Sequence, residues 1–300
     1  MNALEYFAAP GVMTSPGRYA ALFEGLPTEI GLLCQVIQGL MIHVHWLERY
    51  GVQLPRLRLD ELQLRSVAAK LARIVELDQR PLAEGRTLDR RLVGNCRDFS
   101  LMLTAILRYR GVPARARCGF ARYFLLDHYE DHWVCEYWNA ELQRWVLVDS
   151  QLDGFQRGVL AVEFDPLDVP RDQFLPGGEA WRLCRGGLAD PDTFGIFDMH
   201  GLWFVRGNLV RDVASLNRTE LLPWDCWGLV DVREEDLSVA DLALLDRAAE
   251  LTCGDVPEWE PVRQLYENDK RLRVPSVIRS YTDEGVQEVR LPELKPASGG

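Results

Sequence analysis

The stretch Gly94-Asn95-Cys96-Arg97-Asp98-Phe99-Ser100-Leu101-Met102-Leu103-Thr104-Ala105-Ile106-Leu107-Arg108-Tyr109-Arg110-Gly111-Val112-Pro113 decides how this chain is read. Asn95 is a favoured N-cap residue, and Asp98 three positions on gives a capping-box-like spacing. A helix is therefore predicted from Cys96 to about Tyr109, ended by Gly111 and Pro113. Phe99, Leu103, Ile106 and Leu107 supply an apolar face to anchor it on a sheet. A sulfur at the first helical position faces unsatisfied N–H groups and the positive end of the helix dipole. Both are expected to lower its pKa. Most free cysteines simply pack as small hydrophobes, but one beside an N-cap is a candidate nucleophile.

A thiol nucleophile needs a base and an orienter for that base. The histidines are His43, His45, His128, His132 and His200. His43 and His45 fall in an apolar segment predicted as one helix, capped by Thr28 and running to about Tyr50 before Gly51. Core packing explains them best there. His200 sits among loops. Downstream of the Cys96 helix the pattern predicts strands at 114–124, 132–138 and 144–150. With Asn139–Leu142 as a four-residue turn, Trp138 pairs with Gln143 and His132 faces Asp149, Cβ atoms about 4.5–5.5 Å apart. A slip of two residues would make Asp149 a diagonal neighbour, and a slip of one would move it to the other face. His128 has no acid placed this way, so His132 is the candidate base and Asp149 its orienter.

The segment 94–115 resembles the nucleophile helix of the transglutaminase-like superfamily. The pieces His132-Trp133-Val134-Cys135-Glu136-Tyr137 and Trp145-Val146-Leu147-Val148-Asp149 resemble that family's His and Asp strands in order and approximate separation. The resemblance implies an α+β fold. Its papain- or transglutaminase-like core would pack a nucleophile helix on an antiparallel sheet, with helical N- and C-terminal additions. It also implies Cys96 as nucleophile, His132 as general base then acid, and Asp149 as orienter, acting on an amide- or ester-bearing small molecule or peptide through an acyl-enzyme. The Cys96 backbone N–H, free at the helix start, is a candidate oxyanion donor. No metal or organic cofactor is required. Trp133 departs from the family pattern, where a small residue often follows the His, as do Cys118 and Cys135 at strand positions usually aliphatic.

Around this core, residues 1–59 read as an N-terminal helical part, 60–160 as the catalytic core and 161–300 as an extension of loops and helices, together one compact domain. A helix is predicted from Asp60 through Leu77, a loop from Asp78 to Arg91, and a short helix near Glu179–Cys184. A strand-like piece follows at Gly201–Val205, then helices near Val239–Leu251 and Pro257–Leu272, and a frayed tail from Pro292. A net charge of −11, with 45 acidic against 34 basic residues, argues against nucleic acid or an anionic membrane as partner. The longest apolar run, Ile30–Val44, is about fifteen residues and too short to span a bilayer. Seven scattered cysteines and no secretory signal fit a reducing cytoplasm.

Two rival readings remain. The cluster Asp127, His128, Glu130, Asp131 and His132 has metal-ligand chemistry but no C-x-x-C pair beside it. Alternatively, the chain is a non-catalytic binding module that keeps the fold, although all three triad residue types are present.

Overall fold

The computed structural model describes residues 2–254 and 259–292. Its elements in chain order are α1 (Ala3–Ala8), α2 (Ile30–Leu40), β1 (Met41–His43), α3 (Val67–Leu77), β2 (Leu92–Gly94), α4 (Cys96–Tyr109), β3 (Ala114–Ala121), β4 (Tyr129–Asn139), β5 (Arg144–Val148) and α5 (Gly154–Leu160). There follow β6 (Phe174–Pro176), α6 (Gly177–Arg185), β7 (Phe194–Ile196), β8 (Met199–His200), α7 (Leu202–Leu216), β9 (Asp225–Cys226), α8 (Val239–Thr252), α9 (Trp259–Asn268), β10 (Val277–Thr282) and β11 (Gly285–Arg290).

Helix α4 starts and ends where its caps predict. Its capping box closes in both directions, Asp98 N–H to the Asn95 side chain and Asn95 N–H to the Asp98 carboxylate. The helix is buried from Cys96 to Arg108, so packing rather than propensity holds it. Lys70 of α3 ties down its first turn, the ammonium 2.8 Å from Asp98 Oδ1 with both groups wholly buried.

The main sheet runs β6-β3-β4-β7-β8, with β5 also on β4. One edge of β4 is paired with β3 from Glu130 to Tyr137. The other edge is shared. β7 runs parallel to it at Tyr129 and Glu130, and β5 runs antiparallel from Cys135 to Asn139. Among the described residues, no strand covers residues 131–134 on that side. One face of the sheet, with Cys135, Val146 and Val148, joins Phe99, Leu103 and Ile106 of α4 in the main core. The opposite face packs Val134 and Leu147 with Ala121, Val169 and Phe174.

Helix α7 braces β3 through polar contacts. Asp212 Oδ1 accepts the Cys118 N–H at 3.0 Å, and Ser215 donates to the Ala116 carbonyl at 2.6 Å. Arg117 bonds both Asp212 oxygens at 3.0 and 2.8 Å. Arg115 and Arg117 converge on Glu136 of β4, and Arg171 reaches its other oxygen, so three guanidiniums surround one buried carboxylate. Two glycines let α6 approach this layer closely. A Cβ at Gly177 would lie 2.6 Å from the Asn208 and Leu209 backbone, and one at Gly178 would lie 2.2 Å from Thr252 Oγ1.

Several expectations are corrected. The helix predicted from Thr28 to Tyr50 stops at Leu40, because Met41–His43 pairs in parallel with Leu92–Gly94, a partner distant in sequence. Helix α3 begins at Val67 rather than Asp60, since Ser66 caps it by accepting from the Ala69 N–H. Gly201–Val205 is not a strand but the start of α7, whose residues from Val205 to Leu216 are all buried. Burial of the helix from Val205 onward overrides the strand preference of Trp203-Phe204-Val205. The hairpin pairs Asn139 with Arg144 and Trp138 with Trp145, two residues from the expected register. Asn139 Oδ1 organises the actual turn by accepting from the Glu141 and Leu142 N–H groups, and Gln143 takes φ +51°. Helix α5 and the β10–β11 hairpin were not expected. The start of the helix predicted from Pro257 and the tail beyond Pro292 lie outside the described residues.

Candidate active site

The open edge of β4 is where the candidate residues gather. Continuing the observed register puts Asp149, just past β5, opposite Val134 and diagonal to His132 on the same face. The diagonal is close enough: His132 Nε2 lies 2.9 Å from Asp149 Oδ2, with both side chains buried. The slip of two residues therefore changes the partner across the ladder without separating imidazole from carboxylate, because the side-chain period of a strand is two.

Asp149 has two further donors that the sequence reading missed. Tyr123 donates its hydroxyl to Oδ2 at 2.7 Å, and the Gln151 N–H donates to Oδ1 at 3.0 Å. The rings of Tyr123 and Phe124 flank His132 edge-on, with centroids 5.9 and 4.8 Å away. The only sequence signal for them was position, as aromatics at the end of the first predicted strand. Burial and the adjacent Asp149 push the Tyr123 hydroxyl well above its ordinary pKa, so it stays a donor.

Cys96 stands at the first position of α4, 8% exposed, packed with Ala116, Cys118 and Trp133. Its sulfur is approached by the backbone N–H groups of Trp133 and Arg97. The first of these comes from the stretch of β4 that neither β5 nor β7 covers. Cys96 and His132 are not hydrogen bonded to each other. The thiol is also not acidified as the helix start predicts. Burial pushes its pKa well above the usual cysteine range, and the Asp131 and Asp149 carboxylates add to this against the two N–H groups. Asp131 is itself buried and raised, mainly by desolvation, while Asn208 of α7 donates to it at 2.8 Å. The indole N–H of Trp133 is buried in the same cluster without a partner.

Residues 65–150 match the family model of the transglutaminase-like superfamily. This transglutaminase-like segment contains Cys96, His132 and Asp149, and it fits the mixed α+β architecture of helix α4 on the β3–β4–β5 sheet. No curated protein and no solved structure matches the chain.

None of the other histidines is hydrogen bonded to this pair among the described residues. His43 is in β1 rather than a helix, buried, with its Nδ1 accepting the His45 N–H. Burial, then the neighbouring His45 and His132, lowers its pKa well below the usual imidazole range. His200 is exposed, 3.4 Å from Asp192. Members of the acidic cluster turn to different partners. His128 lies 3.6 Å from Glu130, Asp131 bonds Asn208, and His132 bonds Asp149.

Proposed function

We propose that the chain is a thiol-dependent acyl-transfer enzyme, a hydrolase or acyltransferase acting on an amide or ester, with Cys96, His132 and Asp149 as its catalytic residues. The observation that carries this reading is the buried His132–Asp149 pair at 2.9 Å beside a strand edge that also donates an N–H to the Cys96 sulfur. Because Asp149 engages Nε2, the tautomer with the proton on Nε2 is favoured, leaving Nδ1 as the basic nitrogen.

The elevated thiol pKa sets the order of events. Cys96 rests as a thiol, and turning its sulfur from the Trp133 N–H toward His132 precedes attack. Hydrogen bonds of this kind commonly tighten only when substrate is bound. The imidazole takes the thiol proton as sulfur bonds to the carbonyl carbon. The resulting tetrahedral oxyanion collapses as the leaving amine or alcohol accepts that proton from His132. Water or an amine, deprotonated by His132, then attacks the thioester and regenerates the thiol. The Cys96 N–H, with no acceptor one turn earlier in the helix, suits the oxyanion. Such a donor is worth roughly 10²–10³ in rate.

Burial of Cys96, without a direct bond to His132, is also what a binding module retaining this fold would display. The test is a panel of activated esters and amides, offered with and without a primary amine, to the wild type and to Cys96→Ala and His132→Ala. A mass increase on Cys96 equal to the acyl group, abolished in both variants, is the expected result. A substrate turned over equally by Cys96→Ala would refute the proposal.

A further inference from the structure

The turn joining β7 to β8 consists of Phe197 and Asp198, between the paired residues Ile196 and Met199. Phe197 takes φ +54°, a value that glycine adopts freely and a bulky residue only at a cost. The residue is also 68% exposed. A strained, exposed aromatic is a poor choice for folding alone, so its surroundings matter. β7 runs parallel to β4 with Tyr129 opposite Phe194 and Glu130 opposite Gly195. The pairing ends there, two residues before His132 on β4 and two before Phe197 on β7.

Ring contacts lead inward from this tip. Phe197 meets His45 edge-on at 5.0 Å, His45 lies 5.4 Å from His43, and His43 stacks on Phe99 at 6.4 Å. Phe99 is one turn of α4 from Cys96. Burial lowers the pKa of both histidines, which favours their uncharged forms. Phe124, whose ring meets His132 edge-on, is followed in the chain by Leu125 and Leu126, exposed by 55% and 92%.

We propose that Phe197 is a specificity-determining residue of this site, the wall on which an apolar or aromatic group beside the substrate's reacting carbonyl packs. The proposal rests on the reading of Cys96 as nucleophile. It commits the substrate to an uncharged, apolar or aromatic neighbour of the amide or ester.

The test uses two alkylating probes, chloroacetamide and N-(2-phenylethyl)chloroacetamide, each of which forms a sulfur–carbon bond with loss of chloride. Labelling of Cys96 is followed by intact mass and peptide mapping in the full-length protein. In the wild type the phenylethyl probe should label Cys96 about tenfold faster than chloroacetamide, and in Phe197→Ala the ratio should fall to within about threefold of unity. Phe197→Leu should keep most of the preference. Phe197→Gly should match the Ala variant in selectivity with an unchanged or raised melting temperature, since it relieves the turn. An unchanged ratio in Phe197→Ala overturns the proposal, as does a difference between the Ala and Gly ratios, which would implicate turn conformation rather than the ring. Failure of either probe to label Cys96 in the folded wild type overturns the reading of Cys96 itself, and this proposal with it.

Discussion

Replacing Glu136 with Gln removes one negative charge from the point where Arg115, Arg117 and Arg171 converge, while keeping the side chain's size. Glu136 is wholly buried, with Arg115 Nε at 2.6 Å, Arg117 Nη1 at 3.2 Å and Arg171 Nη1 at 2.6 Å. Burial alone would raise its pKa, but the three guanidiniums outweigh burial and bring it from an ordinary 4.5 down to about 2. That difference corresponds to roughly 3 kcal/mol of folding stability at neutral pH. Removing one partner from a buried ion pair costs about 3–5 kcal/mol by experience with other proteins, so the two routes agree. The sign follows from the depressed value. The contribution is fully present above pH 4.5, where the unfolded carboxyl is ionised, and is lost as pH falls through about 2. Urea denaturation of wild type and Glu136→Gln should therefore show a gap of about 3 kcal/mol at pH 7 that shrinks to less than half at pH 3. A gap under about 1 kcal/mol at pH 7, or one unchanged at pH 3, would refute the assignment of charge at this site.

Three other perturbations probe the site directly. Tyr123→Phe removes the 2.7 Å bond to Asp149 but keeps the ring against His132, and should lower kcat by about 10- to 100-fold with little change in KM; an unaltered kcat would count against Asp149 as orienter. Asp131→Asn removes the carboxylate that, after burial, does most to raise the Cys96 pKa, so iodoacetamide labelling of Cys96 at pH 7 should accelerate a few-fold and its pH profile shift to lower pH; a slower or unshifted profile would contradict the electrostatics. Gly119 pairs with His132 across the β3–β4 ladder, and a Cβ there would lie 2.1 Å from the Leu175 carbonyl oxygen. Gly119→Ala should thus destabilise the fold by about 1–3 kcal/mol in chemical denaturation; a neutral result would mean that β6 moves aside freely.

The parts legible in the sequence were those decided locally. Asn95 and Asp98 fixed the start of α4 because a capping box is written within four residues. His132 and Asp149 could be placed together despite a wrong register, since an even slip keeps both on one face. What escaped was set by distant chain. Leu92–Gly94 converts Met41–His43 into a strand, and burial of Val205 to Leu216 carries Trp203-Phe204-Val205 into a helix. The pKa of Cys96 was misjudged for the same reason. The helix start is local, whereas burial against Cys118 and Trp133, and the nearness of Asp131, come from the sheet.

The buried arginines bear on whether the family-matching segment is portable. Within 65–150, Arg108 is neutralised by Glu220, Arg117 by Asp212, and Arg97 donates to the Glu220 carbonyl. All three counterparts lie at least sixty residues beyond Asp149 in the chain. A fragment cut at residue 150 would retain the nucleophile, the imidazole and the carboxylate, yet leave Arg108 without Glu220 and Arg117 with only Glu136, which Arg115 already shares. Grafting this segment into another scaffold therefore requires transplanting the stretch from α7 through Glu220 with it.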